Sequence, residues 1–224
     1  MYPPDFISRL YHYARRQGFR ATMNRIGLSC KRARTGKWHV LFGCDLTTCD
    51  LSAYENPNDA IVERKKSEGE LSGEDLQQLC AWNPKIARRQ LSERFAQGAS
   101  LWLFKLDGKL AAYGWTLIGR TMERHFVPLG SNDAHLFDYF VFPEYRGRRI
   151  NPALVNHVLA RLVSERRNRA FIEAAAWNAA QLASLGRTPF RPLGRAWKCS
   201  LFGKTLVLWS DKQPILDLPG KRGS

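Results

Sequence analysis

The chain has 224 residues, 44% of them apolar, which is enough for one large domain with a core or for a domain with an extension. The formal charge of +15 indicates an anionic partner: nucleic acid, an acidic membrane surface or a phosphorylated ligand. A basic surface that serves solubility alone is the alternative. No stretch approaches 18 uncharged apolar residues, which argues against a membrane-spanning helix.

The cysteines are five in number and scattered, with no CxxC pair among them. This spacing argues against a disulfide framework and against a zinc site, so we predict reduced thiols, no metal and a cytoplasmic protein. The N-terminal residues lack an unbroken apolar core and a small-residue cleavage site, so we expect no secretory signal.

Residues 1–37 carry nine Lys and Arg residues against one acid, Asp5, and hold +8 of the total charge. Apolar side chains recur at helical spacing over residues 5–17, which predicts a basic amphipathic helix in an N-terminal extension. Such a helix either lies on an acidic membrane surface, in which case the protein is peripheral to the inner membrane face, or packs on its own domain with a solvated basic side.

Strands and helices are predicted along residues 38–210, followed by a loose tail over 211–224. The predicted strands are 38–47, 100–106, 109–118, 134–142 and 169–176, with a closing pair over 195–209 that turns at Gly203. The predicted helices begin near Ser72 and cover 84–97, 151–165 and 178–186. Residues 50–73 are polar, which predicts a loop with a helical turn near 59–66.

Asp107-Gly108 lies between two apolar runs, which is typical of a β-hairpin. The crossover from 134 to 176 requires two parallel strands. The fold class is therefore α/β (α+β-like), with a central twisted mixed sheet flanked by helices.

A basic turn follows the strand that ends near Phe142. It reads Pro143-Glu144-Tyr145-Arg146-Gly147-Arg148-Arg149 and opens the helix behind Asn151 and Pro152. A helix N-terminus presents unpaired N–H groups and a partial positive charge. Arginines at that position predict an anionic guest, and phosphate is the usual one.

The stretches DYFVFPEYRGRRINPAL and FIEAAAWNAAQLASLGRTPFRPLG resemble the GNAT superfamily of acyl-CoA-dependent N-acyltransferases. The matching positions are Val141, Pro143, Tyr145, Arg146, Gly147, Ile150, Leu154, Asn178 and Phe190. The resemblance covers about residues 38–210. It implies a GNAT-like domain and transfer of an acetyl group from acetyl-CoA to an amine, directly within a ternary complex.

The resemblance also implies the residues that bind the cofactor. They are Phe140, Val141, Phe142, Arg146, Gly147, Arg148, Arg149, Ile150, Asn151 and Asn178. The turn would hold the pyrophosphate of coenzyme A, and the preceding strand would pair with the pantetheine arm. The backbone N–H of Val141 or Phe142 would polarise the thioester carbonyl.

The chain departs from the family pattern at several positions. Arg149 and Asn151 replace two glycines of the turn, and a glycine there lets the backbone approach phosphate closely. Pro189 replaces a late glycine. Leu185 stands where many members carry the tyrosine that protonates the departing thiolate, so the general acid is missing or comes from elsewhere.

Three residues are candidates for proton transfer. Asp138, three positions before Val141, stands where many members place a base, and it is either that base or a carboxylate facing solvent. His135 either relays a proton or is structural. Glu173, in the apolar run FIEAAA, either faces the acceptor pocket or meets an arginine. Trp82, Trp115 and Trp177 line an acceptor pocket or pack in the core.

Two other classes of function remain open. One is a catalytically degenerate GNAT-fold protein that binds a partner or a membrane through residues 1–37. The other is a nucleic-acid-binding protein, which the absence of an RNP-like motif or a zinc finger disfavours. The acceptor is an amino sugar, an amino acid, a polyamine or a protein amine. A resemblance to GNAT proteins of bacterial envelope-polysaccharide pathways favours the amino sugar.

Overall fold

The computed structural model describes residues 38–49, 51, 60–81, 83–201 and 204–212, together with Met23. The predicted helix over residues 5–17, Trp82 and the turn at Gly203 therefore lie outside the described residues. The same holds for the tail beyond residue 212. The division into an extension, a domain and a tail stays a prediction.

Eight strands and four α-helices form the described part of the chain. The strands are β1 (Trp38–Asp45), β2 (Ala60–Lys65), β3 (Ser100–Leu106), β4 (Lys109–Ile118), β5 (Asp133–Val141), β6 (Arg169–Ala175), β7 (Arg191–Leu201) and β8 (Lys204–Lys212). The helices are α1 (Gly73–Cys80), α2 (Pro84–Ala96), α3 (Ile150–Ser164) and α4 (Ala179–Leu185). Short 3-10 turns cover Glu68–Glu70 and Pro143–Tyr145.

The side chains at the helix starts explain where two of the helices begin. The hydroxyl of Ser72 accepts a hydrogen bond from the Asp75 amide at 3.1 Å. Asn83 caps α2 in the same way through the Ile86 amide at 3.3 Å, with Pro84 in the first turn. These caps satisfy amides that have no partner inside the helix.

The predicted helical turn near residues 59–66 is wrong, because this segment is the edge strand β2. Ala60 and Val62 pack against the cluster that contains α3 and alternate with Ile61, which is exposed, and Glu63, which pairs with Lys105, as a strand requires. Arg64 obscured the apolar alternation in the sequence, because it is a charged residue at an inward-facing position. Its guanidinium lies 5.0 Å from the ring centre of Trp102, and its stem covers apolar surface.

All eight strands form one sheet in the order β2-β3-β4-β5-β6-β1-β7-β8. β5 and β6 are parallel, as the crossover predicted, and the other neighbours are antiparallel. The mixed α/β fold class is therefore confirmed. β1 lies between β6 and β7, so a strand from the start of the described region completes the middle of the sheet.

Two layers of helices cover opposite faces of the sheet. The buried residues of β3 alternate: Trp102 and Phe104 face the cluster that contains α3, whereas Leu101 and Leu103 face the cluster that contains α1 and α2. Phe126 and Val127, from the segment between β4 and β5, pack over β1, β6 and β7 in a third cluster. No helix among the described residues is long and apolar enough to cross a membrane.

Candidate functional site

The two parallel strands separate towards their C-terminal ends. β5 and β6 pair only from Asp133 with Arg169 to Leu136 with Ile172. Beyond that point β5 continues to Val141 and β6 to Ala175 without pairing to each other. Backbone groups on the facing edges of the two strands therefore border a gap in the sheet.

A β-bulge lies at the gap. The register between β4 and β5 shifts between Tyr113 and Trp115, so that Asp138 and Tyr139 both lie opposite Gly114. Asp138 has a left-handed backbone (φ 50°), which is unusual for a residue other than glycine. A Cβ at position 114 would lie 2.5 Å from the Tyr139 ring, so only glycine fits beneath that ring.

The bulge sends two consecutive side chains to opposite sides of the sheet. Tyr139 lines a cavity on the α3 side, and Asp138 lines a cleft on the α2 side. These two spaces are called here the α3/α4 cavity and the α1/α2 cleft. A molecule on each side would meet the other at the gap between β5 and β6.

The α3/α4 cavity has a volume of about 690 Å³. Its walls come from the end of β5, the basic turn, the first turn of α3, and α4. Among its lining residues are Phe140, Val141, Arg146, Gly147, Arg149, Ile150, Asn151, Asn178, Trp177, Ser184 and Arg187, and the described residues contribute no carboxylate to its walls. It is therefore an electropositive space beside a helix N-terminus, which suits a polyanionic ligand.

Eight of the ten predicted cofactor-binding residues line this cavity. Phe142 and Arg148 do not. Phe142 packs with the α1/α2 cluster, and its amide donates to the Ala111 carbonyl at 3.0 Å. The Arg148 guanidinium lies 5.7 Å from the ring centre of Tyr145. The structure thus brings together most of the set and sets these two apart, while the roles of all ten stay predictions.

The backbone of the basic turn follows a path that glycine ordinarily adopts. Gly147 has φ 83° and Arg149 has φ 58°, and Arg149 is the N-cap residue of α3. Arg149, which replaces a family glycine, therefore retains a left-handed conformation at a cost of about 1 kcal/mol. Asn151, the other replacement, lies inside the first turn of α3 and does not cap the helix.

The Val141 amide of β5 points towards the gap between β5 and β6, and the hydrogen-bond pattern of the strand explains why. In antiparallel strands, residues that bond to the partner alternate with residues that do not. Because the amide of Phe142 bonds to β4, the N–H and C=O of Val141 point away from β4 towards the gap. Arg146 Nε donates to that Val141 carbonyl at 3.2 Å, and its guanidinium lies 5.7 Å from the Phe140 ring centre.

α4 closes the cavity and is tied to α3. Asn151 Nδ2 donates to Ser184 Oγ at 2.8 Å, while Asn151 Oδ1 is buried with no partner in the described part of the chain. Asn178 caps α4 by accepting from the Gln181 amide at 3.2 Å. Leu185, at the position of the family tyrosine, is fully buried in the core. Its side chain supplies no proton.

The α1/α2 cleft is smaller, with a volume of about 280 Å³. Apolar side chains of α1, α2 and β4 form its walls: Leu79, Ala87, Leu91 and Trp115. Its polar groups are Gln90, Arg94, Tyr113 and Asp138. Burial, followed by the nearby Asp138 charge, raises the pKa of Tyr113 to about 12, so its hydroxyl keeps its proton at neutral pH.

Asp138 is ion-paired across this cleft. Arg94 Nη1 lies 2.6 Å from Asp138 Oδ2, and the guanidinium sits over the rings of Trp115 and Phe137 at 5.1 and 5.5 Å. The Asp138 side chain is 43% exposed, whereas that of Arg94 is 17% exposed. The left-handed backbone turns this side chain towards α2 and into contact with arginine.

His135 and Glu173 form a second group with His125. Glu173 Oε2 lies 2.9 Å from His135 Nε2 and 3.2 Å from His125 Nε2. Among the described residues, Glu173 therefore meets two histidines, and no arginine forms an ion pair with it. Burial alone would raise the pKa of Glu173, but the hydrogen bonds with His125 and His135 lower it well below its usual range. The carboxylate is ionised.

The three predicted catalytic residues thus belong to two separate groups, Asp138 with Arg94 and Glu173 with His135. Sequence reasoning missed Arg94 and His125. Arg94 lies 44 positions from Asp138, and His125 lies 48 positions from Glu173 in an irregular segment. Neither has a local pattern that signals its partner.

Comparisons with known proteins agree on the fold. A family model described as the acetyltransferase (GNAT) family matches residues 66–185, more than half of the chain. A GNAT-family acetyltransferase from Colwellia psychrerythraea superposes with a TM-score of 0.51 at 12% identity, covering 78% of this chain and 56% of that one. A search of curated proteins finds no significant match.

A tandem GNAT protein from the clavulanic acid biosynthesis pathway superposes with a TM-score of 0.50 at 18% identity. The match covers 82% of this chain and 58% of that protein. The chain therefore spans less than two thirds of the length of either solved structure, and at these identities the likeness concerns the fold. The matched family model together with the splayed, bulged sheet shows that the chain belongs to the GNAT acetyltransferase family.

Proposed function

We propose that the protein transfers an acetyl group from acetyl-CoA to an amine, directly and within a ternary complex. The observation that carries this proposal is the pair of spaces on opposite sides of the β5 bulge. The α3/α4 cavity is large and basic and is lined by Tyr139, whereas the α1/α2 cleft is small and is lined by the carboxylate of the preceding residue, Asp138. Such a geometry allows two substrates to meet at one opening in the sheet.

Coenzyme A is the cofactor that the α3/α4 cavity suits. Its phosphates would lie at the turn, where Gly147 and Arg149 direct the backbone towards the cavity and the first amides of α3 have no partner inside the helix. Arg146, Arg149 and Arg187 add positive charge there. The pantetheine arm would pair along the free edge of β5, and the Val141 amide would polarise the thioester carbonyl.

Asp138 is the base in this proposal. It lies three positions before Val141, whereas Glu173 is directed back towards His135, six positions before Val141. The attacking amine must be neutral, so the Asp138 carboxylate accepts a proton from the bound ammonium ion. The amine nitrogen then bonds to the carbonyl carbon, and the carbon–sulfur bond breaks to release the thiolate of coenzyme A.

The departing thiolate needs a proton that Leu185 does not supply. Ser184 lines the cavity, and its oxygen accepts the hydrogen bond from Asn151. Because the Ser184 oxygen accepts from Asn151, its hydroxyl hydrogen is not used in that bond, and in this proposal it holds a water molecule. We assign this step to a water held at Ser184, which accepts the second proton that the attacking nitrogen loses as the amide forms and gives a proton to the thiolate.

The acceptor that we propose is an amino sugar that carries an anionic group, in a bacterial envelope-polysaccharide pathway of the cytoplasm. An anion would pair with Arg94 and release Asp138 from its ion pair, leaving the carboxylate to take the amine proton. Residues 1–37 would bring the protein to the inner membrane face through their +8 charge. Turnover of amino acids but not of amino-sugar nucleotides in a free-thiol assay would exclude this acceptor.

Calorimetric titration with acetyl-CoA tests the proposal. The wild-type protein should bind with micromolar affinity. Arg146→Ala should weaken binding about tenfold, which corresponds to about 1.4 kcal/mol, because a charged contact at the cavity is lost. Arg148→Ala is the matched control, since Arg148 does not line the cavity and its guanidinium lies 5.7 Å from the ring centre of Tyr145.

Absence of acetyl-CoA binding by the wild-type protein would contradict the proposal. The chain would then be a binding protein on an acyltransferase fold, and liposome binding with and without residues 1–37 would be the next measurement. Equal losses in Arg146→Ala and Arg148→Ala would mean that the net charge of the turn, and not the cavity, drives binding.

A further inference from the structure

The His125, His135 and Glu173 cluster has no role in the proposed transfer. Its members come from three separate places in the fold. His135 lies on β5 and Glu173 on β6, beside the last paired residues of the parallel strands, and His125 lies in the segment between β4 and β5. Phe126 and Val127 are buried against the sheet, so this segment is anchored next to His125.

We propose that His125, His135 and Glu173 form a binding site for a divalent transition-metal ion, with zinc as the ion to test first. One ligand atom from each residue lies within 4.8 Å of the other two. Both imidazoles contact the same carboxylate oxygen through Nε2, at 3.2 and 2.9 Å. Metal bonds of about 2.0–2.2 Å in a tetrahedral site place neighbouring ligand atoms about 3.4 Å apart, so small side-chain shifts suffice.

The donor set matches the chemistry of such ions. Two imidazoles and one carboxylate are the three protein ligands of several open zinc sites and of non-haem iron sites. The histidine side chains are 4% and 5% exposed, whereas that of Glu173 is 22% exposed. The site is therefore dry on the histidine side and reached by solvent at the carboxylate, which leaves room for a water molecule as the fourth ligand.

The charge at the cluster also favours a cation. The Glu173 carboxyl group is contacted on Oε2 by both imidazoles, and its side chain is 22% exposed. An ionised carboxylate that is largely removed from water is costly unless a positive charge or strong hydrogen bonds offset it. No lysine or arginine among the described residues forms a salt bridge with Glu173. A divalent ion held by the three side chains would supply that positive charge next to the Glu173 carboxyl group.

The surroundings of the Nδ1 atoms of the two imidazoles determine how tightly we expect the metal ion to bind. The Nδ1 atoms of His125 and His135 are buried and have no hydrogen-bond partner among the described residues. Metal-binding histidines usually donate this second N–H to a partner, whose loss costs 10–100-fold in affinity. We therefore expect an exchangeable ion with a micromolar dissociation constant, and not a permanently bound one.

The test is titration of chelator-treated full-length protein with Zn²⁺ by calorimetry, followed by Co²⁺ with visible absorption. The wild-type protein should bind one Zn²⁺ tightly enough to measure, and Co²⁺ should give the intense visible bands of a four-coordinate site. His125→Gln and Glu173→Gln should each weaken binding at least tenfold. His157→Gln is the matched control, because this histidine lies on α3 beside Trp102 and outside the cluster.

Thermal unfolding supplies a readout that is independent of activity. Saturating Zn²⁺ should raise the Tm of the wild-type and His157→Gln proteins but not that of His125→Gln, because a ligand that binds only the folded state stabilises it. Three results would overturn the proposal: no Zn²⁺ binding tighter than millimolar by the folded wild-type protein, equal weakening in His157→Gln and His125→Gln, or Co²⁺ bands that persist in Glu173→Gln.

Discussion

The spaces on the two sides of the β5 bulge differ in the charged residues that line them. The α3/α4 cavity brings Arg146, Arg149 and Arg187 beside a helix N-terminus, with no carboxylate from the described part of the chain in its walls. In the α1/α2 cleft, Arg94 is already paired with Asp138 and walled by apolar side chains. The α3/α4 cavity therefore suits a polyanion. The α1/α2 cleft, whose arginine and carboxylate neutralise each other, suits a small amine whose charged groups would replace the two partners of that ion pair.

The most damaging change in this comparison is Asp138→Asn. Removing the proposed base should lower kcat/KM for acetyl transfer about 100-fold or more, while the acetyl-CoA dissociation constant stays within twofold. Steady-state kinetics and calorimetry measure the two quantities. Asn tolerates the left-handed backbone at this position, so the fold should survive.

Asp107→Asn is the control for this substitution. Asp107 is also left-handed (φ 49°) but lies in the β3–β4 turn, away from both spaces. A loss of kcat/KM in Asp107→Asn, or an unchanged rate in Asp138→Asn, would remove Asp138 as the base. The Glu173 and His135 pair would then be the remaining candidate.

Gly114→Ala should disturb both sides at once. The new Cβ would lie 2.5 Å from the Tyr139 ring, so the bulge that separates the two spaces must shift. Overpacking of this kind costs about 1–3 kcal/mol in the free energy of unfolding, which urea denaturation measures. We also expect weaker acetyl-CoA binding and slower transfer in the same variant.

Gly73→Ala serves as the comparison for that measurement. No atom lies within 4 Å of a Cβ at position 73, which begins α1. Alanine there should be neutral or slightly stabilising. If Gly114→Ala were as stable as Gly73→Ala, the contact between Tyr139 and Gly114 would not hold the bulge in place.

The smallest effect is expected from Arg149→Gly, which separates the backbone of the turn from its side chain. Glycine relieves the left-handed strain, so the free energy of unfolding should rise by up to about 1 kcal/mol. Acetyl-CoA affinity should fall only a fewfold, because the backbone path is kept and one charge is lost.

Arg166→Gly is matched to this substitution. Arg166 has φ 56°, follows α3 and does not line the cavity. It should give a similar gain in stability with unchanged acetyl-CoA affinity. Equal losses of affinity in the two variants would assign the effect to net charge and not to the place of Arg149.

The same contrast explains what could be predicted from the sequence. The cavity is built mostly from residues 139–152 and 177–187, two continuous stretches whose periodicity and turn residues are visible locally. The contacts of Arg94 with Asp138 and of His125 with Glu173 join residues more than 40 positions apart. Only the sheet and helix packing brings them together, and no local pattern encodes that.

Most of the fold was predictable for a similar reason. The prediction was wrong where a charged residue interrupted the apolar pattern of a strand. The hairpin over 100–118 and the parallel crossover follow from apolar runs and from Asp107-Gly108. β2 was missed because Arg64, which faces inward onto Trp102, breaks the apolar alternation. The position of β1 between β6 and β7 was also beyond the sequence, since strand order depends on contacts between distant residues.

The position of β1 has a consequence for how the protein is made. Trp38 pairs with Trp197, and His39 pairs with both Ala175 and Ala196. All partners of β1 therefore lie more than 120 residues downstream of the residues that they pair with. Domains dominated by such distant pairings close slowly. During synthesis, the outer edge of β6 is sealed as β1 docks, and β1 itself stays an open edge until residues 191–201 leave the ribosome. We therefore expect the sheet to fold cooperatively only after β7 has been synthesised.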